Sequence, residues 1–390
     1  MSEARQERSD AIDALRAIAI LFVLSYHYTA RFPPEYMRFD QTVPWPWHGV
    51  YGVYLFFIVS GYCIMMTAER SGSRSQFLLR RFTRLQPALV VSIVVTVSVV
   101  GFFGLPSREV SALTAFQNAL WVPLFSPNSS LVDGAYWSIL VEVKFYVVFA
   151  ALYFIKPNSG LWLFVAFVSV GALMHFTGIG MSHKTAIYPF RGISVSYFIF
   201  PFSLFFLIGV AARSANYATQ IAIVSTCVVT MYFLWGWSSS FAWGAAVSAV
   251  GAIGVQCRGI RLWRPIVYVG LISYPLYLLH QNVGVAVIRE MNAWGITPPY
   301  IRIAIATLAV IFLAAVVSWA VEHRFRQPIE RGINTISERF LRILQVPSHP
   351  LTSSARKNNR LPIRSEDDEC AVPPTAQQMP SRSSNADAAQ

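Results

Sequence analysis

The chain has 390 residues, of which 55% are hydrophobic, 14% aromatic and only 13% charged, with a net charge of +12. A soluble domain has about 25% charged residues, whereas here apolar stretches recur as far as residue 320 and the mean hydropathy is +0.47. This composition excludes an ordinary soluble protein and favours one that crosses a bilayer many times. We assign the positive charge to cytoplasmic loops rather than to nucleic-acid binding.

The apolar segments predict an all-α polytopic membrane protein with about ten transmembrane helices, each long enough to cross a bilayer. The predicted spans cover residues 11–30, 50–68, 88–104, 136–155, 160–177, 195–212, 219–236, 239–256, 265–284 and 301–320. If the N-terminus is cytoplasmic, the loops on that side carry more Arg and Lys than the opposite loops. By the positive-inside rule, we therefore expect both termini in the cytoplasm.

The first segment, DALRAIAILFVLSYH from Asp13 to His27, carries three ionisable residues in an otherwise apolar helix. From Arg16 to His27 a helix makes three turns plus about 20°, so both side chains leave the same face. Asp13 lies one turn before Arg16, at a spacing that allows an ion pair. Ionisable groups in a membrane helix are costly, so this face should point into the bundle or a wet cavity. The alternative is that Arg16 extends to the cytoplasmic interface and His27 to the outer one.

A cluster of arginines precedes the third segment, in the stretch RSGSRSQFLLRRFTRLQP. On a helix, Arg80 and Arg84 share a face and Arg81 lies beside them. Guanidinium groups bind phosphates through paired hydrogen bonds, so the cluster is a candidate site for a cytoplasmic cofactor with several phosphates. The alternative is an ordinary positive-inside cluster without a ligand.

Glu142 lies within the apolar fourth segment, WSILVEVKFYVVFA. A buried carboxylate needs a partner or a proton. Lys144 points elsewhere, because residues two apart on a helix do not face each other, so we expect the partner on another helix. His27 is predicted at a comparable depth, and a His–carboxylate pair would form a base that can take a proton from a hydroxyl. A purely structural hydrogen bond between helices is the alternative.

The ninth segment, YVGLISYPLYLLHQNVG, contains Pro275, which predicts a helix break near its middle with a cavity beside it. His280 is expected near the outer end of this segment, as an interfacial residue rather than a catalytic one. In the second segment, Ser60 and Gly61 are expected to serve close helix packing and not chemistry.

From about residue 345 the chain becomes polar and rich in Pro and Ser. We expect one integral-membrane domain over residues 1–335 and a mostly disordered cytoplasmic tail over residues 336–390. The four cysteines show no paired spacing, so neither a metal site nor a disulfide framework is expected. The sequence contains no HExxH, GxSxG or phosphate-binding glycine motif, which argues against zinc proteases, serine hydrolases and P-loop motors.

Taken together, several stretches resemble the membrane-bound acyltransferase 3 family of bacterial carbohydrate O-acyltransferases. Arg16 and His27 match the Arg-x10-His pattern of that family in the first helix. The other matching stretches are GVYLFFIVSGY (52–62), RRFTRLQP (80–87), WSILVEVKFY (137–146) and GLISYPLYLLH (270–280). Five matches in the same order, over residues 10 to 330, make the resemblance specific.

The resemblance implies transfer of an acyl group, usually acetyl from acetyl-CoA, to a carbohydrate hydroxyl on the far side of a bacterial plasma (inner) membrane. The implied partners are acyl-CoA, membrane lipid and an extracytoplasmic glycan or glycolipid acceptor, such as exopolysaccharide, O-antigen or lipo-oligosaccharide. No metal and no nucleic acid are expected.

The resemblance also implies roles for particular residues. On the family pattern His27 is the catalytic base, Arg16 supports the same cavity, and Glu142 supports catalysis or structure. The arginines expected to bind the CoA phosphates are Arg81 and Arg84, with Arg80 beside them. Direct transfer and an acyl-imidazole intermediate on His27 both remain open.

The chain departs from the family pattern at three places. Tyr54 stands where the family commonly has Asp, Val143 and Lys144 replace Glu-Gln, and Glu322 and Pro328 are more widely spaced than in the closing element of the family. These departures bear on substrate choice and local packing more than on the core chemistry.

Two other functions fit parts of the sequence. The intramembrane ionisable residues and the interrupted ninth helix would suit a proton-coupled transporter of a small solute. A non-enzymatic membrane scaffold would tolerate replacement of Arg16, His27 and Glu142.

Overall fold

A computed structural model describes residues 10–31, 47–105, 107–126, 129–156, 159–177, 199–257, 259–296 and 298–321. Within these ranges the chain forms helices joined by turns, and no β-strand occurs among them. The α-helices are α1 (Asp10–Tyr26), α2 (Gly52–Glu69), α3 (Arg74–Phe103), α4 (Ala112–Ala119), α5 (Trp137–Tyr153), α6 (Gly160–Thr177), α7 (Ser203–Ser214), α8 (Tyr217–Trp235), α9 (Ser239–Gly254), α10 (Arg264–Leu271), α11 (Ser273–Ala293) and α12 (Pro299–Val321). The predicted tail, 336–390, lies outside the described residues.

Every predicted span overlaps one of these helices, and the ninth overlaps both α10 and α11. Among the described residues, 7 helices are long and apolar enough to cross a membrane, and the bent pair α10–α11 raises this number to 8. The helices α7 and α9 are apolar but shorter. The all-helical, polytopic class is therefore confirmed, while the number of ten spans and the cytoplasmic position of both termini stay predictions.

Helix α1 packs against α2, α10 and α11. Its approach to α10 is close because Gly270 has no side chain: a Cβ there would lie 1.8 Å from the carbonyl oxygen of Asp13. Likewise, a Cβ at Gly61 on α2 would lie 2.2 Å from the carbonyl oxygen of Phe206 on α7. The predicted packing role of Gly61 is thus confirmed, as small residues let helix backbones approach.

The break in the ninth segment precedes the proline that was expected to cause it. Helices α10 and α11 meet at Ile272 and are bent by 75°. Pro275 lies in the first turn of α11, where a missing backbone N–H is tolerated. The prediction of a break at Pro275 is therefore wrong in position, although a bend is present and it brings Ser273 and Tyr274 to a cavity.

At its C-terminal end α1 widens into a π-helical turn, His27–Arg31. Turns of this kind are rare, and within helices they are frequent at functional sites. The wide turn begins at His27, whose side chain is buried together with that of Tyr28.

Candidate active site

A cavity lies between α1, α2, α3, α5 and α11 and holds about 640 Å³ of empty space, part of it open to the exterior. Its polar lining includes Arg16, Ser60, Arg84, Glu142, Tyr146 and Tyr277. Its apolar walls include Val53, Phe57 and Ile139. The two arginines and the apolar walls together suit an elongated ligand that has an anionic end and an apolar arm.

Arg16 lines this cavity from α1 and forms the predicted ion pair with Asp13, at 3.7 Å between Nη1 and Oδ1. Asp13 is buried, and Arg16 also donates from Nη2 to the Sγ of Cys63 at 3.7 Å. The ion pair is thus confirmed, and Arg16 faces the cavity between the helices.

The three arginines of α3 have different surroundings. Arg84 lines the cavity. Arg81 is 5% exposed, donates to a backbone carbonyl of α2 at 3.1 Å, and has its guanidinium 5.8 Å from the ring centroid of Tyr146. Arg80 is exposed and donates to the carbonyl oxygen of Arg70 at 2.9 Å. The structure therefore brings Arg84 to the cavity, buries Arg81 behind it and directs Arg80 elsewhere.

Glu142 faces the cavity from α5 and accepts hydrogen bonds from Ser60 on α2, at 2.6 Å, and from Tyr146 one turn further along α5. The expected partner on another helix is thus Ser60, so the assignment of Ser60 to packing alone is wrong. The suggested His27–Glu142 pair is also wrong. The described contacts join the carboxylate to these two hydroxyl groups, and His27 packs against α11 instead.

His27 is oriented by its own helix. The residue is 9% exposed, and its Nδ1 lies 2.9 Å from the carbonyl oxygen of Val23. A carbonyl can only accept, so we infer that Nδ1 carries the proton and that Nε2 is the basic nitrogen. The side chain of Gln281 also forms a hydrogen bond with His27. The imidazole is thereby held in one orientation before a substrate binds.

His280, on α11, is the neighbour of His27 that sequence reasoning missed. It is 0% exposed, and its Nε2 lies 3.3 Å from Nδ1 of His27. The interfacial assignment of His280 is therefore wrong, because α11 begins after the bend at Ile272 and packs along α1. Within the described ranges, no three His, Cys, Asp or Glu side chains are grouped as metal ligands.

Tyr277 lies between the cavity and the two histidines. It lines the cavity, its hydroxyl accepts from Ser138 at 2.7 Å and donates to the carbonyl of Ala135 at 3.0 Å, and its ring centroid is 5.2 Å from that of His280. The histidine pair is thus one side-chain layer beyond the cavity.

A second polar network lies further along α11. Asp133 is 1% exposed and accepts from the backbone amides of Ala135 at 2.8 Å and Asn282 at 3.0 Å. Burial raises the pKa of Asp133 to about 6. The side chain of Asn282 accepts a hydrogen bond from Arg108. This network fastens the segment before α5 to α11, beside Gln281. Sequence reasoning missed it, since these residues come from three distant stretches.

Comparison with known proteins gives one family and several relatives. The acyltransferase domain of the acyltransferase 3 family matches residues 9–322. Peptidoglycan O-acetyltransferase OatA of Listeria monocytogenes is 27% identical over 357 residues, in a match that covers 79% of this chain and 54% of that protein. The O-acetyl transferase of Shigella phage Sf6 is 23% identical over 253 residues, 60% of this chain and 70% of that protein.

The exopolysaccharide production protein ExoZ of Rhizobium meliloti is 30% identical over 140 residues, 33% of this chain and 43% of that protein. The chain therefore spans about half the length of the Listeria relative, at 54%. No solved structure matches the chain.

Proposed function

The chain belongs to the acyltransferase 3 family, and from this membership we propose that it transfers an acetyl group from acetyl-CoA to a hydroxyl group of a carbohydrate. The names of two relatives, which refer to peptidoglycan and exopolysaccharide, support a glycan acceptor. We assign the protein to the bacterial plasma membrane, with ten spans, both termini in the cytoplasm and the acceptor on the extracytoplasmic side. The observation that carries the proposal is His27, a buried and oriented base that lies one side-chain layer from a cavity lined by arginines.

We assign the donor to the cavity between α1, α3 and α5. Arg84 and Arg16 can pair with phosphate oxygens, since guanidinium groups bind phosphates through paired hydrogen bonds. Arg81 supports this site from behind, and Arg80 adds positive charge at the surface. The apolar walls, which include Val53 and Phe57, suit the long thioester arm.

In the proposed reaction His27 acts as general base. Its Nε2 takes the proton from the acceptor hydroxyl, and the hydroxyl oxygen attacks the carbonyl carbon of the thioester. The carbon–sulfur bond then breaks, and the departing thiolate takes the proton from Nε2 of His27. The products are an O-acetyl ester and coenzyme A, and the base returns to its starting state. The bond from Nδ1 to Val23 keeps Nε2 in place throughout.

Glu142 contributes a negative charge to the same cavity. Its bonds to Ser60 and Tyr146 hold the carboxylate in one place between α2 and α5. We assign Glu142 to balancing the positive charge of Arg81 and Arg84 and to fixing the width of the cavity. We assign no proton transfer with the acceptor to Glu142, because its carboxylate bonds to Ser60 and Tyr146 whereas His27 contacts His280.

The test uses membranes that contain the full chain, incubated with radiolabelled acetyl-CoA, and follows label into the glycan and lipid fractions. Wild type should transfer label to glycan or glycolipid, and His27→Ala should lose transfer while remaining in the membrane. The matched control is His175→Ala, since His175 lies in the last turn of α6 and is not among the residues that line the cavity. This control should retain activity.

Two outcomes would reject the proposal. Full transfer by His27→Ala would exclude His27 as the base. Movement of a solute without consumption of acyl-CoA, in a protein that transfers no label, would favour the transporter.

A further inference from the structure

His280 is a buried titratable residue to which the proposed reaction assigns no step. It lies on α11 with no exposed surface, and its ring stands edge-on to that of His27 with the centroids 4.6 Å apart. Nε2 of His280 lies 3.3 Å from Nδ1 of His27. Two imidazoles in this position can share one proton, and the surrounding carbonyl groups decide which ring donates.

The donor in this contact is His27. Nδ1 of His280 lies 2.7 Å from the carbonyl oxygen of Tyr277, which can only accept, so this nitrogen carries the proton and Nε2 offers its lone pair. Nδ1 of His27 carries a proton for the same reason, because it lies 2.9 Å from the carbonyl oxygen of Val23. The N–H of His27 is therefore shared between Val23 and His280.

Both ring nitrogens of His280 are thus committed, one to Tyr277 and the other to His27. His280 therefore has no nitrogen left for a substrate proton, and the proposed reaction uses Nε2 of His27. The position of His280 is itself fixed: the hydroxyl of Tyr28 donates to its carbonyl oxygen at 2.7 Å. Gly284 leaves the space that Tyr28 occupies, since a Cβ there would lie 2.0 Å from that hydroxyl oxygen.

We propose that His280 is a positioning residue for the acyl transfer, which accepts the Nδ1–H of His27 and so holds Nε2 of His27 towards the acceptor hydroxyl. This inference rests on the proposed function. When His27 takes up the proton at Nε2, the Nδ1–H keeps its acceptor, and the imidazolium is formed without any rearrangement of α11. A neutral histidine here does what a carboxylate does in other His-based sites, without adding a buried charge.

The test compares three substitutions in the full-length protein. In His280→Gln, the side-chain carbonyl can still accept from His27. In His280→Met, a side chain of similar length offers no such acceptor. In His280→Asn, the shorter amide can still donate to Tyr277 but does not reach His27. Acetyl transfer is measured as kcat and as KM for acetyl-CoA, and folding is followed by thermal unfolding in detergent.

We expect kcat of His280→Met and His280→Asn to fall by about 10- to 150-fold, since a hydrogen bond to a charged group contributes at this level. His280→Gln should retain more activity than either, and KM for acetyl-CoA should be unchanged in all three. Should His280→Met fail to fold, the comparison of His280→Gln with His280→Asn decides the question. Equal kcat in the Gln and Asn variants would overturn the proposal.

The result separates the positioning role from the proposed function. If His27→Ala is inactive and all His280 variants keep wild-type kcat, only the positioning role fails. If His27→Ala and the His280 variants all keep wild-type kcat, the assignment of His27 as the base fails as well. If the wild-type protein transfers no acetyl group, the proposed function itself fails.

Discussion

Arg84 is the arginine of α3 whose side chain reaches the cavity, so donor binding should depend on it more than on Arg80 or Arg81. Arg84→Ala should raise KM for acetyl-CoA by about 10- to 150-fold, because a hydrogen bond to a charged group contributes about 1.5–3 kcal/mol. The value of kcat should change little, since Arg84 lies apart from His27. Initial rates at increasing acetyl-CoA concentration measure both constants.

Arg264→Ala is the matched control for this substitution. Arg264 is exposed at the start of α10, carries the same charge on the side predicted to be cytoplasmic, and is not among the residues that line the cavity. S-acetyl pantetheine, a donor without nucleotide phosphates, should be used equally well by wild type and Arg84→Ala. An unchanged KM for acetyl-CoA in Arg84→Ala would contradict the phosphate-binding role.

Gly284 makes room for the hydroxyl of Tyr28, which in turn holds the backbone of His280. Gly284→Ala should lower the free energy of unfolding by about 1–3 kcal/mol, because a methyl group added to a packed site forces its neighbours apart. It should also reduce kcat by displacing α11 from Tyr28. The control is Gly101→Ala on α3, where an added Cβ would meet nothing within 4 Å and should be neutral or stabilising. Equal unfolding temperatures for the two variants would contradict this account.

The residue contacts that could be predicted from the sequence are those set by helix periodicity. The Asp13–Arg16 pair follows from a spacing of one turn, and burial alone indicates that Glu142 needs a partner on another helix. The contact between His27 and His280 could not be predicted in this way, because 253 residues separate the two. It depends on how α11 turns after Ile272, which no local pattern encodes.

Among the elements, the segment before α5 is fastened to α11 through a buried carboxyl group, and this predicts a dependence on pH. The pKa of Asp133 is raised by burial from 3.8 to about 6, so the folded state binds this proton more tightly than the unfolded chain does. The stabilising contribution is therefore full below about pH 4 and is lost as the pH rises through about 6. Thermal unfolding temperatures measured from pH 4 to pH 7 should fall more steeply with rising pH in wild type than in Asp133→Asn.

The Asn variant keeps one oxygen as acceptor for the amides of Ala135 and Asn282 and removes the titration. Other groups titrate equally in both proteins, so the difference between the two curves isolates Asp133. If the unfolding temperatures of the two proteins change in parallel with pH, the carboxyl group of Asp133 does not titrate between pH 4 and pH 7.

The existence of the helices could be predicted well from the sequence, but their interruptions could not. Every predicted span overlaps a helix, because a long apolar run in a bilayer has few other ways to satisfy its backbone. The bend was expected at Pro275 yet lies at Ile272, since a proline is compatible with the first turn of a helix. The π turn at His27–Arg31 leaves no signature in the composition of HYTAR.

At the scale of the whole molecule, the predicted orientation can be tested with its cysteines. Cys63 and Cys227 are buried and Cys257 is half-buried at the end of α9, on the side predicted to be cytoplasmic. Cys370 lies outside the described residues, in the predicted cytoplasmic tail. In intact bacterial cells a membrane-impermeant maleimide should therefore not label the wild-type protein, and a permeant one should.

Ser130→Cys introduces a cysteine on the side predicted to be extracytoplasmic. Ser130 is exposed in the stretch between α4 and α5, which the charge distribution assigns to the extracytoplasmic side. This variant should react with the impermeant reagent in intact cells. The opposite pattern, in which the impermeant reagent labels the wild-type protein but does not react with the cysteine at position 130, would show that the orientation is the reverse of the predicted one. The proposed acceptor side would then be cytoplasmic.

For the molecule as a whole, composition alone predicts the polytopic class, and the ordered motifs predict the family that the match over residues 9–322 shows. The cavity and its relation to the histidines could not be predicted, since its lining comes from α1, α2, α3, α5 and α11. Such an arrangement depends on how five helices pack together, which is a property of the assembled bundle.

The position of Tyr277 between the cavity and the histidines also has an electrical consequence. A continuous wet passage through this bundle would let protons run down their gradient and dissipate the energy that the membrane stores. The ring of Tyr277, whose hydroxyl bonds to Ser138 and Ala135, fills part of the space between the cavity and His280. An aromatic ring at this point leaves less room for water, so we expect the buried polar groups of the bundle to cause little leakage of protons.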